Sequence, residues 1–368
     1  MASWRPNWNL KERIRISAAF KAKTKTGGLR IIVATSTLAW GINLPARRVI
    51  VVGVHRGLNE VEPLDIKQEV GRAGRLGWDP KGDAYVLLPE SNFNHYKKWC
   101  QEIPVITSTM NDEGVLAFHI VSEIAENEIY DVPSLMDWYN RSLAAFQNDY
   151  LDRVKAEELL EKLEKIKILE KKGNHYKITN LGRVAAYLYF SPYSIAGWYF
   201  NFNKIIRDDI IDDITTSCAL SNIKEIKDQV DEYKRRCVRY GLSSMDSQAF
   251  MGTLYYSCLV SDNGVNDIHK RQAKFDIQRI ISALMMIDKM YGNWKQQDFF
   301  KKLELRIQYE ISEEQTELCS LKGVGGVFVK KLFKAGITTI DEFVYNPKIA
   351  KSAIGATKYN SVIEKNGY

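Results

Sequence analysis

The chain has 368 residues, of which 45% are hydrophobic and 26% charged. This length suggests two or three domains at roughly 150 residues each, and the composition excludes a largely disordered or collagen-like chain. The net charge of +7 is carried by residues 1–30, where eight Lys or Arg face one acid, Glu12, so that residues 31–368 are neutral and global basicity is a weak argument for nucleic acid.

No apolar run approaches the roughly 18–20 residues that span a bilayer, and the basic N-terminal stretch lacks the apolar core of a signal peptide. An intracellular chain with no membrane partner is expected, cytoplasmic or, in a eukaryote, nuclear. Cys100, Cys218, Cys237, Cys258 and Cys319 include no C-x-x-C pair, and the five histidines show no ligand spacing. Neither a disulfide framework nor a metal site is expected.

Taken in chain order, residues 29–35 form the first short apolar, β-branched run, and 49–52 and 84–88 form two more. Continuous runs of this kind suit strands buried on both faces of a parallel sheet. A helix is expected over about 65–76, which makes βαβ spacing. The segment Ala34-Thr35-Ser36-Thr37-Leu38-Ala39-Trp40-Gly41-Ile42-Asn43-Leu44-Pro45-Ala46 follows the first strand, and Gln68-Glu69-Val70-Gly71-Arg72-Ala73-Gly74-Arg75 lies at the helix. Two arginines three apart, at the start of or on a helix, project from nearly one face. Small residues between them let another backbone approach, and guanidinium groups suit a phosphate with developing charge. The plainer alternative is an Arg-rich surface helix. Residues 53–67, with Gly53, Gly57 and Pro63, form either a short pin or a connecting loop.

From about residue 113 the pattern is helical. Residues 101–137 hold eight acids and no Lys or Arg, whereas residues 318–340 hold Lys322, Lys330, Lys331 and Lys334 and no acid. Such alternation lets one face attract phosphate while others repel it. A helix over 153–169 is followed by the turn Lys171-Lys172-Gly173-Asn174-His175, giving a helix and a basic-tipped hairpin like the end of a winged helix. Several long helices are expected over 195–306. Within 276–289, Ile277, Ile280, Ile281, Leu284 and Ile287 make an apolar stripe, and Arg279, Ser282, Met286 and Lys289 make a second line. That second line is either functional or simply solvent-facing. Residues 322–333 read as a helix-hairpin-helix, whose glycines let backbone N–H groups face a phosphate. Gly325 is expected at positive φ. The alternative is a small packing module docked on the rest.

At these two motif segments the chain resembles the fifth and sixth motifs of superfamily 2 helicases, and the wording resembles the Ski2-like branch. Leu181-Gly182-Arg183-Val184-Ala185 and Leu318-Cys319-Ser320-Leu321-Lys322-Gly323-Val324-Gly325 are similar to the archaeal Hjm and eukaryotic HelQ group of DNA repair helicases. The resemblance implies an α/β plus mostly α architecture. Its parts are a truncated second RecA-like domain (1–106), a winged helix (107–190), a helical ratchet domain (191–309) and a helix-hairpin-helix (310–368).

The resemblance also implies roles. Thr35, Ser36 and Thr37 would hold a single strand's phosphates. Gly41, Asn43 and Gly71 would line the nucleotide, Gln68 would sense its phosphates or the attacking water, and Arg72 and Arg75 would act as arginine fingers. Arg279 and Met286 would meet phosphate and base on a ratchet helix. Lys322, Gly323, Gly325 and Lys330 would contact DNA through the hairpin. The winged helix would serve as a rigid hinge or as a DNA reader.

One departure is large. None of the 23 glycines is followed by lysine, so no Walker A loop is present, and no Asp-Glu pair continues as a D-E-x-H or D-E-x-D box. The first RecA-like domain and the start of the second are missing, so the chain is a fragment or another chain supplies that half. ATP and magnesium belong to the complete motor, with none held by this chain alone. The expected function is the C-terminal part of an ATP-dependent, 3′-to-5′ DNA helicase acting in repair or recombination, a monomer on single-stranded or forked DNA. The rivals are a Ski2-like RNA helicase portion and a non-enzymatic nucleic-acid-binding module.

Overall fold

A computed structural model describes the chain except for residues 1, 5–9, 23–27, 36–43, 45, 57–58, 75–76, 78, 104, 225–229, 243–248 and 263. It divides into two compact units, 1–106 and 107–368.

The first unit is α/β. Its elements are β1 (Ala2–Trp4), α1 (Leu10–Lys21), β2 (Ile32–Ala34), β3 (Arg48–Val52), β4 (His55–Arg56), β5 (Asn59–Glu60), α2 (Pro63–Val70), β6 (Asp83–Leu87) and α3 (Phe93–Gln101). The three apolar runs are all strands. Two of them, β3 and β6, pair in parallel as expected, in the register Arg48 to Asp83 through Val52 to Leu87, whereas β2 pairs in parallel with β1, a strand that the apolar runs do not announce. Burial on both faces does not follow. Ile50, Val52, Tyr85 and Leu87 are exposed, because among the described residues each sheet has two strands and the β3–β6 pair is covered on one face. The 53–67 segment holds a short antiparallel hairpin, β4–β5. It is tied to α3 by Trp99 Nε1 donating to the Val61 carbonyl (2.8 Å) and by Tyr96 Oη beside His55 Nε2 (3.3 Å). Val54, Val61, Ile66 and Tyr96 form the small core beneath it.

Among its described residues the second unit is helical apart from one hairpin. Helix α4 (Glu113–Ala125) starts at Asp112, whose side chain accepts from the N–H groups of Gly114 and Val115. Such a cap satisfies amides that the helix itself cannot. Next come α5 (Val132–Asn140), α6 (Leu143–Phe146) and α7 (Arg153–Lys165), then the antiparallel pair β7 (Leu169–Lys172) and β8 (His175–Ile178) turning at Gly173, and α8 (Asn180–Leu188). Helix α7 is shorter than its periodicity predicts, because Leu169 has joined the hairpin. In α8 a Cβ on Gly182 would lie 2.4 Å from the Ile168 carbonyl oxygen, so only glycine lets this helix abut the start of the hairpin.

Helices α9 (Pro192–Arg207), α10 (Asp213–Leu220), α11 (Val230–Arg239), α12 (Ala249–Leu259) and α13 (Asp267–Ile287) follow. A π-helical turn (Asp288–Gly292) and α14 (Gln297–Tyr309) close the bundle. The stripe Ile277, Ile280, Ile281, Leu284 and Ile287 is fully buried, as its 3.6-residue spacing requires. One continuous core runs from Leu116 to Ile307, through both the hairpin-bearing helices and the bundle. A separate core, Ile311 to Val362, holds α15 (Thr316–Cys319), α16 (Gly326–Lys334), α17 (Ile340–Tyr345), α18 (Pro347–Ile354) and α19 (Ala356–Asn366). No described helix is long and apolar enough to cross a membrane.

Candidate nucleotide and nucleic-acid sites

Gln68 sits half-buried in the last turn of α2, which ends at Val70. Arg72 lies beyond the helix in a turn, half-buried, and Arg75 lies outside the described residues. The helix stops because the backbone turns away to pair elsewhere. Ala46 N–H donates to the Arg72 carbonyl (2.9 Å), Gly74 N–H donates to the Ala46 carbonyl (2.7 Å), and Ala46 and Ala73 form a parallel bridge. Gly74 adopts φ +94°, a left-handed conformation that favours glycine. Behind it a Cβ on Gly82 would stand 2.3 Å from the Gly74 nitrogen. Three backbones thus meet where any side chain would collide.

This bridge joins Ala46, the last residue of the Thr-rich segment, to the Arg72–Gly74 turn that follows α2. Thr35 follows β2 and is exposed. Ser36, Thr37, Gly41 and Asn43 lie outside the described residues.

In the second unit, Arg279 is half-exposed but heavily engaged. Its guanidinium lies 4.5 Å from the Phe190 ring centre, its Nη1 pairs with Asp276 (3.2 Å), and its Nη2 donates to the Leu188 carbonyl (3.1 Å) and more weakly to that of Tyr189 (3.4 Å). Met286 is partly buried against the main core rather than fully open to solvent.

In the terminal subdomain the turn before α16 places Gly323 at φ +95°. Gly325 is the N-cap of α16 in extended conformation, φ −104° and ψ 174°, which corrects the expectation of a positive φ there. Gly326 is the sterically demanding glycine, since its Cβ would lie 2.7 Å from Tyr309 Cβ. Helix α16 has no side-chain cap. Lys322 is exposed, and its backbone is clasped by Asn366, which accepts from Lys322 N–H (2.9 Å) and donates to its carbonyl (3.2 Å). Lys330 points inward, where burial pushes its pKa down, as do nearby Lys270 and Lys274, while Glu310 opposes the fall.

Two lysines escaped the sequence reading. A Cβ on Gly323 would lie 3.9 Å from Lys358 Nζ and from Lys365 Cδ, so both side chains converge on this turn from α19. Their spacing of seven in an otherwise mixed helix carries no distinctive signal.

Residues 7–77 match the family model for the helicase conserved C-terminal domain. They include both motif segments and the bridge that joins them. The ATP-dependent DNA helicase Hel308 of Methanocaldococcus jannaschii is 26% identical over 356 residues, covering 89% of this chain and 29% of that protein. Hel308 of Thermoplasma acidophilum is 28% identical over 363 residues, covering 90% and 50%. The DExH-box ATP-dependent RNA helicase DExH13 of Arabidopsis thaliana is 30% identical over 210 residues, covering 50% and 10%. The chain thus spans half or less of the length of these relatives. Over most of its length the chain is similar to portions of DNA helicases, and over half its length to a portion of an RNA helicase.

Proposed function

We propose that this chain is the motor-completing and strand-holding part of an ATP-dependent DNA helicase that moves 3′ to 5′ in DNA repair or recombination. The observation that supports the reading is the Ala46–Ala73 bridge, which ties the last residue of the Thr-rich segment to the turn after Gln68. Gln68 and Arg72, with Arg75, would face the γ-phosphate of an ATP whose triphosphate and magnesium are held by a Walker A loop that this chain does not contain. There, guanidinium groups stabilise the charge that develops on the transferred phosphoryl group. Gly41, Asn43 and Gly71 would line the nucleotide.

Thr35, Ser36 and Thr37 would hold the strand's phosphates, and α13 would lie along the strand with Arg279 and Met286. The residues from α7 to α8 would act as a winged helix. The turn at Gly323–Gly325, with the uncapped α16 amides and exposed Lys322, would form a helix-hairpin-helix contact that reads no sequence. The inward Lys330 is then the weakest member of the set, because its ammonium faces protein.

The test is fluorescence anisotropy of the chain on single-stranded DNA across a salt series, with steady-state ATPase alongside. Binding is expected with a log–log slope of about −0.7 for each phosphate contacted, and ATP turnover is expected at background. Robust turnover lost in Arg72→Ala would overturn the need for a separate triphosphate-binding half, and absence of DNA binding at low salt would overturn the strand-holding role. A second reading, RNA in place of DNA, rests on the 30% likeness to an RNA helicase over half the chain. Competition between DNA and RNA of one sequence separates the two.

A further inference from the structure

We propose that Tyr189 and Phe275 form a stacking platform for unpaired bases of a single strand, with Arg279 as the residue that positions Tyr189. This rests on the reading of the chain as a strand-holding helicase portion.

Tyr189 caps the C-terminus of α8 with φ 57° and ψ 46°. Helices often end in this left-handed conformation, but the residue there is usually glycine, or else asparagine. A tyrosine carries a steric penalty at that φ and is held only where its surroundings fix it. The fixing group is Arg279. It donates to the carbonyls of Leu188 and Tyr189 and rests on the ring of Phe190, so it grips the three residues around the cap. The Tyr189 ring nevertheless gains little burial. It is 75% exposed, with Phe118 beside it at 6.0 Å between ring centres. A strained aromatic held rigidly in solvent is costly for the fold alone and useful to a ligand.

The second ring stands one helical turn from that grip. Phe275 is 80% exposed on α13. Arg271, Phe275 and Arg279 recur every four residues, all exposed, so cation, ring and cation follow one another along one side of the helix. Sequence reading from Asp276 onward stops just short of this pattern. A protein partner would favour a continuous apolar strip. Rings separated by guanidinium groups instead match a strand that offers flat apolar bases at intervals along a phosphate backbone. Arg183 and Tyr187, exposed four residues apart on α8, extend the same alternation up to the cap.

The experiment uses the whole chain and two labelled 12-mers at one low salt concentration, oligo(dT) and its abasic counterpart with the same phosphates. The wild type should bind oligo(dT) about 10-fold or more tighter than the abasic strand, because each stacked base strengthens binding about 5-fold or more. Tyr189→Gly and Phe275→Ala should each weaken oligo(dT) binding about 5-fold or more and leave abasic binding within about twofold. Tyr189→Phe should restore it. Tyr189→Gly should also keep or raise the Tm, since glycine is the better residue at that φ; its loss of binding is then not a loss of fold.

Arg279→Lys keeps the charge but not the fork that spans two carbonyls. It should mimic Tyr189→Gly, losing base-dependent binding with an unchanged salt slope. Equal binding of the two strands by the wild type, or unchanged oligo(dT) binding in both ring variants, overturns the platform. An Arg279→Lys variant with intact base dependence overturns the positioning role. A wild type that binds neither strand overturns the strand-holding function as well, which distinguishes the two failures.

Discussion

The two units use similar apolar sequences to different effect. In the α/β unit, Val49–Val52 and Ala84–Leu87 are as apolar as the stripe on α13, yet Val52 is 79% exposed while Ile277, Ile280 and Leu284 are fully buried. The helical unit surrounds its stripe with α8, α9, α12 and α14 and builds one core from Leu116 to Ile307. Among its described residues the α/β unit has small apolar groups, one under the hairpin and one between α1 and β2. Apolarity and periodicity define which side chains can be buried; the number of elements available to cover them decides whether they are. Recognisable motifs therefore lie in the thinly packed unit, and most of the burial lies in the other.

Matched truncations give the sharpest contrast. Trp198 is fully buried, and its indole N–H donates to the Leu220 carbonyl (3.2 Å). Trp198→Ala should cost the helical unit about 4 kcal/mol in chemical denaturation. Ile50→Ala, on the open sheet face, should stay within about 0.5 kcal/mol. Similar losses for the two would break the comparison.

A smaller effect is expected where the bundle meets the terminal subdomain. Glu310, the residue after α14, pairs with the buried Lys270 (2.7 Å) and with Lys274. Glu310→Gln leaves the Lys270 ammonium buried without its counter-charge and should cost about 3 kcal/mol. Burial raises the Glu310 pKa, but the hydrogen bonds from Lys270 and Lys274 outweigh it and hold the carboxyl below its ordinary value. A depressed folded pKa means that the contribution is complete above the unfolded value, about 4.3, and is lost as pH falls through the folded one. Wild-type Tm should therefore fall more steeply than that of Glu310→Gln on acidification below about pH 4.3.

The least effect separates two adjacent glycines. Gly326→Ala forces a Cβ into Tyr309 and should cost about 2 kcal/mol, whereas Gly325→Ala meets only Tyr309 Cε1 at 4.0 Å and should cost no more than about 0.5 kcal/mol in thermal unfolding. Equal costs would mean that α16 shifts freely on α14.

Much of this was legible beforehand. The three strands, the parallel pairing of β3 with β6, the basic-tipped hairpin and the buried face of α13 all follow from runs and spacings within a few residues. The two motif segments stand out for the same reason, and residues 7–77, which hold them, match the helicase conserved C-terminal domain. Misreadings occurred where a distant backbone intervened. The local pattern extends α2 past Val70 because nothing local announces that Ala73 will bridge to Ala46. The pattern points to a positive φ at Gly325 but Gly323 takes it, because a run of glycines permits several turns and only packing chooses one.

The amino-acid order alone determined most of the elements, their apolar faces and the two motif segments, since each depends on neighbours within one or two turns. Tertiary structure decided which partners those side chains have. Arg279 meets carbonyls 90 and 91 residues away, and Lys270 meets a carboxylate 40 residues away. At such separations the local pattern holds no information, and the contact is set by how the helices pack around a shared core.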